Sequence, residues 1–573
     1  MAFLMRAAFV ACAAISCLAQ DGQDLNSVGS KPPKGAPTAT VCNGTYIGVH
    51  SNVYDQDFYL GVPFAQPPVG NLRFRNPQPL TTKWSQPRNA NAYSAACVGY
   101  GGDNIAYPSQ SEDCLYLNIV RPSGFEKEKL PVGFWIHGGA YYMGSAIDPR
   151  YNLSRIVQQS VEIGKPFIGV SINYRVSAWG FISSEEVLQS GQTNLGARDQ
   201  RQALRWVQEN IGAFGGDSRK VTIWGESAGA GSVGNHIIAY GGRDDKLFRG
   251  AIMQSGSPLA LLPLSPNQIA FNNLTQAIGC SSASDKLQCL RALPFNQLNQ
   301  VLNSTGLGIV WAPFIDGDFI RDKASVQLAQ GQFVKVPIIS GTNSDEGTAF
   351  GPMGVESTTD FFNQLTTWPV PASVPSSFAT KILDAYPDIP AQGIPGTPPL
   401  PADYRPPPPF GAQFRRSSAY YGDATFIASR RYTCQTWAKA GLSAYCYRFN
   451  TLPTGLPPFI GVTHFQEVAW VFENTAGIGY DVSPFAGQPQ SYFDLATLMS
   501  SNWASFISDL NPNSWVASWS RKETPEWPKY TTRSPKDIVF DANVPALAVL
   551  ESDNWREKGM SLIIQNFASI YNI

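Results

Sequence analysis

Gly225-Glu-Ser-Ala-Gly229 sets a serine between two glycines at the end of an apolar run, Val221-Thr-Ile-Trp224. The pattern G-x-S-x-G suits a sharp strand-to-helix turn, because a side chain at either glycine would crowd it and the turn lifts the serine hydroxyl clear of the backbone. The small residues that follow Ser227 (Ala228, Gly229, Ala230 and Gly231) read as the head of a helix, where N–H groups and the dipole favour negative charge. The chemistry served is nucleophilic attack on an acyl carbon. It needs a base, an acid to orient that base, and donors for the tetrahedral oxyanion. The pentapeptide also fits an ordinary glycine turn, so its meaning depends on those partners.

The chain has four histidines: His50, His137, His236 and His464. Where a serine sits on this kind of turn, the acid and then the histidine follow it in sequence. Only His236 and His464 qualify. His236 lies nine residues along the expected helix, on nearly the opposite face, and leaves no room for an acid-bearing strand before it. A structural role is expected there. His464, in Gly461-Val-Thr-His464, remains as the base. For the acid, Pro337-Ile-Ile-Ser-Gly-Thr-Asn-Ser-Asp-Glu-Gly347 reads as a buried strand followed by a tight loop. Carboxylates at the C-terminal edge of a parallel sheet lie where such sites form. Asp345 and Glu346 are equal candidates on these grounds. His137-Gly-Gly-Ala140 also closes an apolar run, and its small residues suit an oxyanion loop that turns peptide N–H groups toward a substrate.

These residues need a scaffold. Pro131 to Ile136, Phe167 to Tyr174, Val221 to Trp224, Phe248 to Met253 and Val336 to Ser340 read as strands. Ala197 to Phe214 reads as a helix with Ala203, Leu204, Val207 and Ile211 on one face. Strands alternating with helices predict an α/β fold with a mainly parallel sheet. Pro390 to Phe410 is a proline-rich surface loop, and candidate chemistry on both sides of it marks an insertion within one domain. At 573 residues and 43% apolar content the chain can bury a large core. Its net charge of −1, with no Lys/Arg run, gives no electrostatic footprint for nucleic acid or an anionic membrane.

Ala7 to Leu18 is a short apolar run behind Arg6, and Cys17-Leu-Ala19 suits cleavage, so residues 1–19 read as a secretory signal peptide. No later segment is long and apolar enough for a membrane span. Cysteine usage agrees with export. Cys12 and Cys17 leave with the leader, and seven remain, so at least one has no partner in the chain. Close spacing marks Cys97 with Cys114, Cys280 with Cys289, and more weakly Cys434 with Cys446, leaving Cys42. N-x-S/T sequons at Asn43, Asn152, Asn273 and Asn303 are candidate glycan sites in an exported chain. No Cys/His cluster suggests a metal, and no motif suggests a cofactor.

Several further segments carry a resemblance: Pro67-Pro-Val-Gly-Asn-Leu-Arg-Phe74, Ser111-Glu-Asp-Cys-Leu-Tyr-Leu-Asn118, Asn173-Tyr-Arg-Val176, Asp199-Gln-Arg201, Asn210-Ile-Gly-Ala-Phe-Gly-Gly-Asp217, Gln254-Ser-Gly256 and Asp345-Glu-Gly347. With the serine, histidine and glycine motifs, they resemble the type-B carboxylesterase/lipase family over nearly the whole mature chain. The resemblance implies an α/β-hydrolase fold in one domain, residues 20–573, and a secreted carboxylic ester hydrolase acting on a small-molecule or lipid-like ester. It assigns no oligomeric state. It implies Ser227 as nucleophile, Glu346 rather than Asp345 as acid, and His464 as base. Gly139, Ala140 and Ala228 would supply the oxyanion donors, although the family usually has three glycines where this chain has Gly138-Gly139-Ala140. Ser255 would stand beside the acid. Ion pairs Arg73–Glu112 and Arg175–Asp199 are implied, as are disulfides Cys97–Cys114 and Cys280–Cys289; Cys42, Cys434 and Cys446 have no such support. The family lid lies in the first disulfide loop, here a short Val98 to Asp113. That favours an esterase with an open gorge over a lipase or sterol esterase activated at an interface. A non-catalytic, neuroligin-like binding role is disfavoured because serine, acid and histidine are all in place.

Overall fold

The computed structural model describes residues 35–573, apart from 259–263, 305–310, 370, 391–399, 402 and 516–522. The expected leader and much of the proline-rich loop lie outside the described residues. The central sheet has eleven strands: β1 (Val49–Ser51), β2 (Gln56–Pro63), β3 (Tyr116–Pro122), β4 (Leu130–Ile136), β5 (Ile168–Ile172), β6 (Gly216–Glu226), β7 (Gly250–Gln254), β8 (Ile338–Asn343), β9 (Ala444–Phe449), β10 (Lys536–Phe540) and β11 (Ala548–Ser552). Their spatial order is β11-β10-β9-β8-β7-β6-β4-β5-β3-β2-β1. Every ladder from β10 through to β5 is parallel, and the ladders outside that block are antiparallel. A smaller sheet joins Thr38–Val41, Gly44–Ile47 and Arg88–Asn89.

The apolar runs become strands because both faces of the parallel block are covered, so neither face needs polar residues. Alternation still divides them. Phe134, Ile136 and Ile223 face one core, together with Leu204 and Val207 of α2 (Leu195–Asn210) and Val233 and Ile237 of α3 (Ala228–Gly242). Trp135, Trp224 and Ile252 face the other, against α1 (Ser154–Glu162) and the long α6 (Gln490–Asp509), which contributes Leu495, Met499, Trp503 and Phe506. Two further helices, α4 (Phe414–Gly422) and α5 (Ala428–Lys439), follow the proline-rich segment. The expected helix ends in a 3₁₀ turn, Ile211–Phe214, and its predicted inner residues Ala203, Leu204, Val207 and Ile211 are all buried.

Among the described residues three disulfides close: Cys97–Cys114, Cys280–Cys289 and Cys434–Cys446, the last stapling α5 to β9. Cys42 is free and exposed. Arg73 clasps Glu112 at 2.6 and 2.8 Å, and Arg175 clasps Asp199 at 2.8 and 2.7 Å, so both anticipated ion pairs form in the interior.

The turn after β6 is tightly packed within this frame. Register places Gly225 between Ile136 of β4 and Met253 of β7. A Cβ at Gly229 would lie 2.1 Å from the Ile136 carbonyl oxygen, and one at Gly225 would lie 2.6 Å from the Gly229 backbone. These glycines are needed for close approach, not for an unusual φ. Gly229→Ala is therefore expected to lower the thermal midpoint by an amount corresponding to about 1–3 kcal/mol. Gly212→Ala, where a Cβ would meet nothing within 4 Å, is expected to leave the midpoint unchanged or higher. Thermal unfolding of the two variants checks this.

Candidate active site

Ser227 joins β6 to α3 at φ 57° and ψ −123°. A serine does not choose this conformation unaided. It is imposed by the two glycine contacts and by the Ser227 N–H, which donates to the Gln254 carbonyl at 2.9 Å. The helix begins at the next residue, so the Ala228 N–H points out of its N-terminus.

The second component follows β4. Gly138 and Gly139 again serve close approach: a Cβ at Gly138 would lie 2.7 Å from the Glu226 carbonyl oxygen, and one at Gly139, at φ +99°, 2.3 Å from that of Met143. Ala140 is exposed and takes φ 56°, a left-handed conformation that costs a non-glycine residue about 1–2 kcal/mol. His137 anchors the loop. Its ring stacks on Tyr174 with centroids 4.3 Å apart, Nδ1–H donates to the Gly138 carbonyl at 2.8 Å, and the Tyr174 hydroxyl donates to the His137 carbonyl at 2.9 Å. Burial pushes His137 down to about 4, so it stays neutral. Among the described residues, the N–H groups of Gly139, Ala140 and Ala228 donate to no protein acceptor.

The third component is a pair of loops, one after β8 and one after β9, bonded to each other residue by residue. Asp345 N–H donates to the Val462 carbonyl at 2.9 Å, and Val462 N–H returns to the Asp345 carboxylate at 2.8 Å. Asn343 donates to the Thr463 carbonyl at 2.8 Å, and the Thr348 and Thr463 hydroxyls meet at 2.7 Å. The result is a 2.6 Å hydrogen bond from His464 Nδ1 to Glu346 Oε2. Glu346 Oε1 accepts from the Ser255 hydroxyl at 2.6 Å and the Asn343 N–H at 2.7 Å. The two adjacent carboxylates point differently: Asp345 bonds the loop that carries the histidine, and Glu346 bonds the histidine itself.

His236 is placed as expected, fully buried in α3, with Nε2 bonded to Gln200 at 3.0 Å. His50 lies on β1 at the edge of the sheet, 3.0 Å from Asp57.

A family model for carboxylesterases matches residues 36–548. The chain belongs to the carboxylesterase family. It is similar to the Secreted lipase 1 of Botryotinia fuckeliana, at 33% identity over 94% of each chain. It is similar also to the Lipase 2 of Geotrichum candidum, at 35% identity over 74% of this chain and 81% of that one. Its fold matches the crystal structure of Aspergillus niger EstA with a TM-score of 0.81 and 29% identity, covering 94% of this chain and all of that one. The chain is accordingly a carboxylic ester hydrolase of the α/β-hydrolase fold.

Two carboxyl groups of this carboxylesterase escaped sequence reasoning. Glu226, the residue before Ser227, is buried with Oε1 3.2 Å from His464 Nε2, within ion-pair reach but off hydrogen-bond alignment. Glu467 is buried three residues after His464 and accepts from Asn343 at 2.8 Å and Gln254 at 3.3 Å. Burial raises Glu226 well above the usual carboxylate range and Glu467 to about 7. Burial alone would lower His464, but Glu226 and then Glu346 outweigh it and raise the imidazole above its ordinary 6.5. No spacing rule signals this cluster. Glu226 sits in the variable position of the serine motif, and Glu467 is one of many downstream carboxylates.

Asp345 and Glu346 should respond differently to loss of charge. Burial raises Asp345 from 3.8 to about 7, so its contribution to stability is full below about pH 4 and is lost as pH rises through 7. Asp345→Asn is expected to flatten the fall in thermal midpoint across that window while ester turnover persists. Glu346→Gln is expected to fold normally and to lower kcat by about 10²–10⁴. Melting curves from pH 4 to 8 and turnover of a soluble ester check both.

Proposed function

We propose that this carboxylesterase hydrolyses its ester through an acyl-enzyme, with Ser227 as nucleophile, His464 as general base and acid, and Glu346 as the group that orients and charge-stabilises the imidazole. The observation that carries this reading is the 2.6 Å Glu346–His464 hydrogen bond, which leaves Nε2 with no hydrogen bond among the described residues, 3.2 Å from the Glu226 carboxylate. His464 takes the Ser227 proton as the hydroxyl attacks the carbonyl. The N–H groups of Gly139, Ala140 and Ala228 receive the oxyanion, and one such donor typically contributes about 10²–10³ in rate. His464 then protonates the leaving alcohol and activates water on the acyl-serine. Because the resting imidazole is raised above 6.5 and must be neutral to act as base, the acid limb of kcat/KM is expected above pH 6.5.

We read the substrate as a soluble ester of short or medium acyl chain. The support is the first disulfide loop, which is docked onto its surroundings. Arg150 pairs with Asp103 at 2.9 Å, and the Tyr107 hydroxyl donates to Asp148 at 3.2 Å. The Tyr100 N–H donates to the Tyr142 carbonyl at 3.3 Å, and Gly101 has no room for a side chain against Met143. A loop clasped to the oxyanion segment in this way needs no lipid interface to move it. The names of the fungal relatives favour the second reading, a lipase.

Secretion is proposed from the apolar leader at residues 1–19, from three disulfides, and from the relative named as secreted. Residues 20–573 then form one catalytic domain, which accords with a single sheet drawing strands from Val49 to Ser552. Asn152, Asn273 and Asn303 are exposed and suited to glycans, whereas Asn43 holds its amide against the Leu80 and Thr82 carbonyls at 3.4 and 3.0 Å.

A p-nitrophenyl ester series together with emulsified triacylglycerol separates the two substrate readings. The expected outcome is highest kcat/KM on short and medium soluble chains, with no rise in rate beyond the solubility limit, and loss of all turnover in Ser227→Ala. A rate jump at the emulsion interface would establish the lipase reading, and turnover surviving in Ser227→Ala would overturn the mechanism.

A further inference from the structure

Between α4 and α5 the chain does not continue as an α-helix. Asp423–Ile427 form a π-turn. Such a turn inserts a residue into the helical register and is frequent at functional sites. Here the insertion is firmly held. The buried Asp423 carboxylate accepts from Arg556 Nε at 2.6 Å and Nη2 at 2.5 Å, and from the Tyr386 hydroxyl at 2.8 Å. Immediately before it, α4 presses on the acid loop so closely that a Cβ at Gly422 would lie 2.7 Å from the Gly347 nitrogen, and one at Gly347 1.9 Å from the Ser418 carbonyl oxygen. The same segment therefore braces Glu346 and presents Phe426. The Phe426 ring stacks on the His464 imidazole, centroids 4.7 Å apart and planes 29° apart, while Phe350 meets the imidazole edge-on at 4.9 Å and Phe426 at 5.3 Å.

We propose that Phe426 is a positioning residue for His464, delivered by the π-turn so that its ring face both orients the imidazole and favours the imidazolium that forms in each acyl-transfer step. This rests on His464 being the base. A stacked aromatic face is attracted to a ring that gains positive charge, and the effect grows when water is excluded. It acts beside the carboxyl groups already facing the imidazole: Glu346 from the acid loop, Glu226 from β6 and Glu467 from the histidine's own loop. Asp423, Arg556 and Asp345 lie behind the π-turn and the acid loop and act on the ring's carrier, not on the ring. Phe426 would thus act on the same charge as Glu346, but from the ring face instead of the ring edge.

The test is the pH profile of kcat/KM. Phe426→Leu, which keeps apolar volume, is expected to lower kcat by about 3- to 10-fold with little change in KM, and to move the acid limb to lower pH by about half a unit. Phe426→Tyr should restore both. Ile427→Val, a packing change in the same turn, should alter the thermal midpoint without moving the limb. Should Phe426→Leu fail to fold, phenylalanines bearing one to four ring fluorines at this position keep the shape and drain the ring face of charge. The limb is then expected to fall stepwise with fluorine count. A limb that stays fixed in the leucine or fluorinated variants reduces Phe426 to packing. His464→Ala distinguishes the underlying failure: if that variant retains wild-type turnover, the reading of His464 as base is lost. If it is inactive while the Phe426 variants behave as wild type, only the present inference falls.

Discussion

The buried carboxylate of Glu346 and the largely buried imidazole of His464 meet at 2.6 Å, and they arrive there on separate loops. Glu346 opens a short 3₁₀ turn, Glu346–Ala349, and His464 lies on an irregular loop, so no single helix or strand carries both. The distance comes from the bonds between the loops, Asp345 to Val462, Asn343 and Thr348 to Thr463, and from the parallel neighbours β8 and β9 that launch them. A buried carboxylate left without donors carries a desolvation cost of several kcal/mol. Ser255, the Asn343 N–H and the histidine satisfy Glu346, so its charge is kept where the imidazole needs it.

On the serine side, steric exclusion works beside the hydrogen bonds of Ser227 and His137. Gly225, Gly229, Gly138 and Gly139 stand where any Cβ would meet backbone within 3 Å. Their absence of side chains draws the end of β4, the turn after β6 and the start of α3 into contact. That contact brings together, at the C-terminal edge of the sheet where α/β folds gather their sites, the segments that carry the proposed oxyanion donors Gly139, Ala140 and Ala228. Ala140 departs from the all-glycine pattern, and it holds a left-handed φ with its methyl exposed on the open side. Tyr141 beside it and Ser227 across from it share a positive φ, so backbone strain gathers around this turn.

Much of this was legible in the sequence, and the limits have physical causes. Parallel strands buried on both faces appear as unbroken apolar runs, so β4 and β5 could be placed closely, and chain order isolated His464. Asp345 and Glu346 could not be separated by residue type, because adjacent residues share a loop and differ only in where they point; the family resemblance chose Glu346 and the geometry explains the choice. Glu226, Glu467 and Phe426 were invisible because their importance is a matter of distance across the fold. Phe426 is 38 positions before His464 and meets it from within a π-turn. Cys434 and Cys446 were marked by spacing alone and do pair, whereas the lid's docking through Asp103, Tyr107 and Tyr100 has no sequence signature.

The central claim is that Ser227 is activated by the histidine that Glu346 holds. Covalent labelling with a fluorophosphonate, followed by peptide mapping, tests it most directly, since the reagent reports nucleophile and activation together. The account predicts a single label on Ser227, formed far more slowly in His464→Ala. A label on any other serine, or an unchanged rate of labelling in His464→Ala, would contradict it.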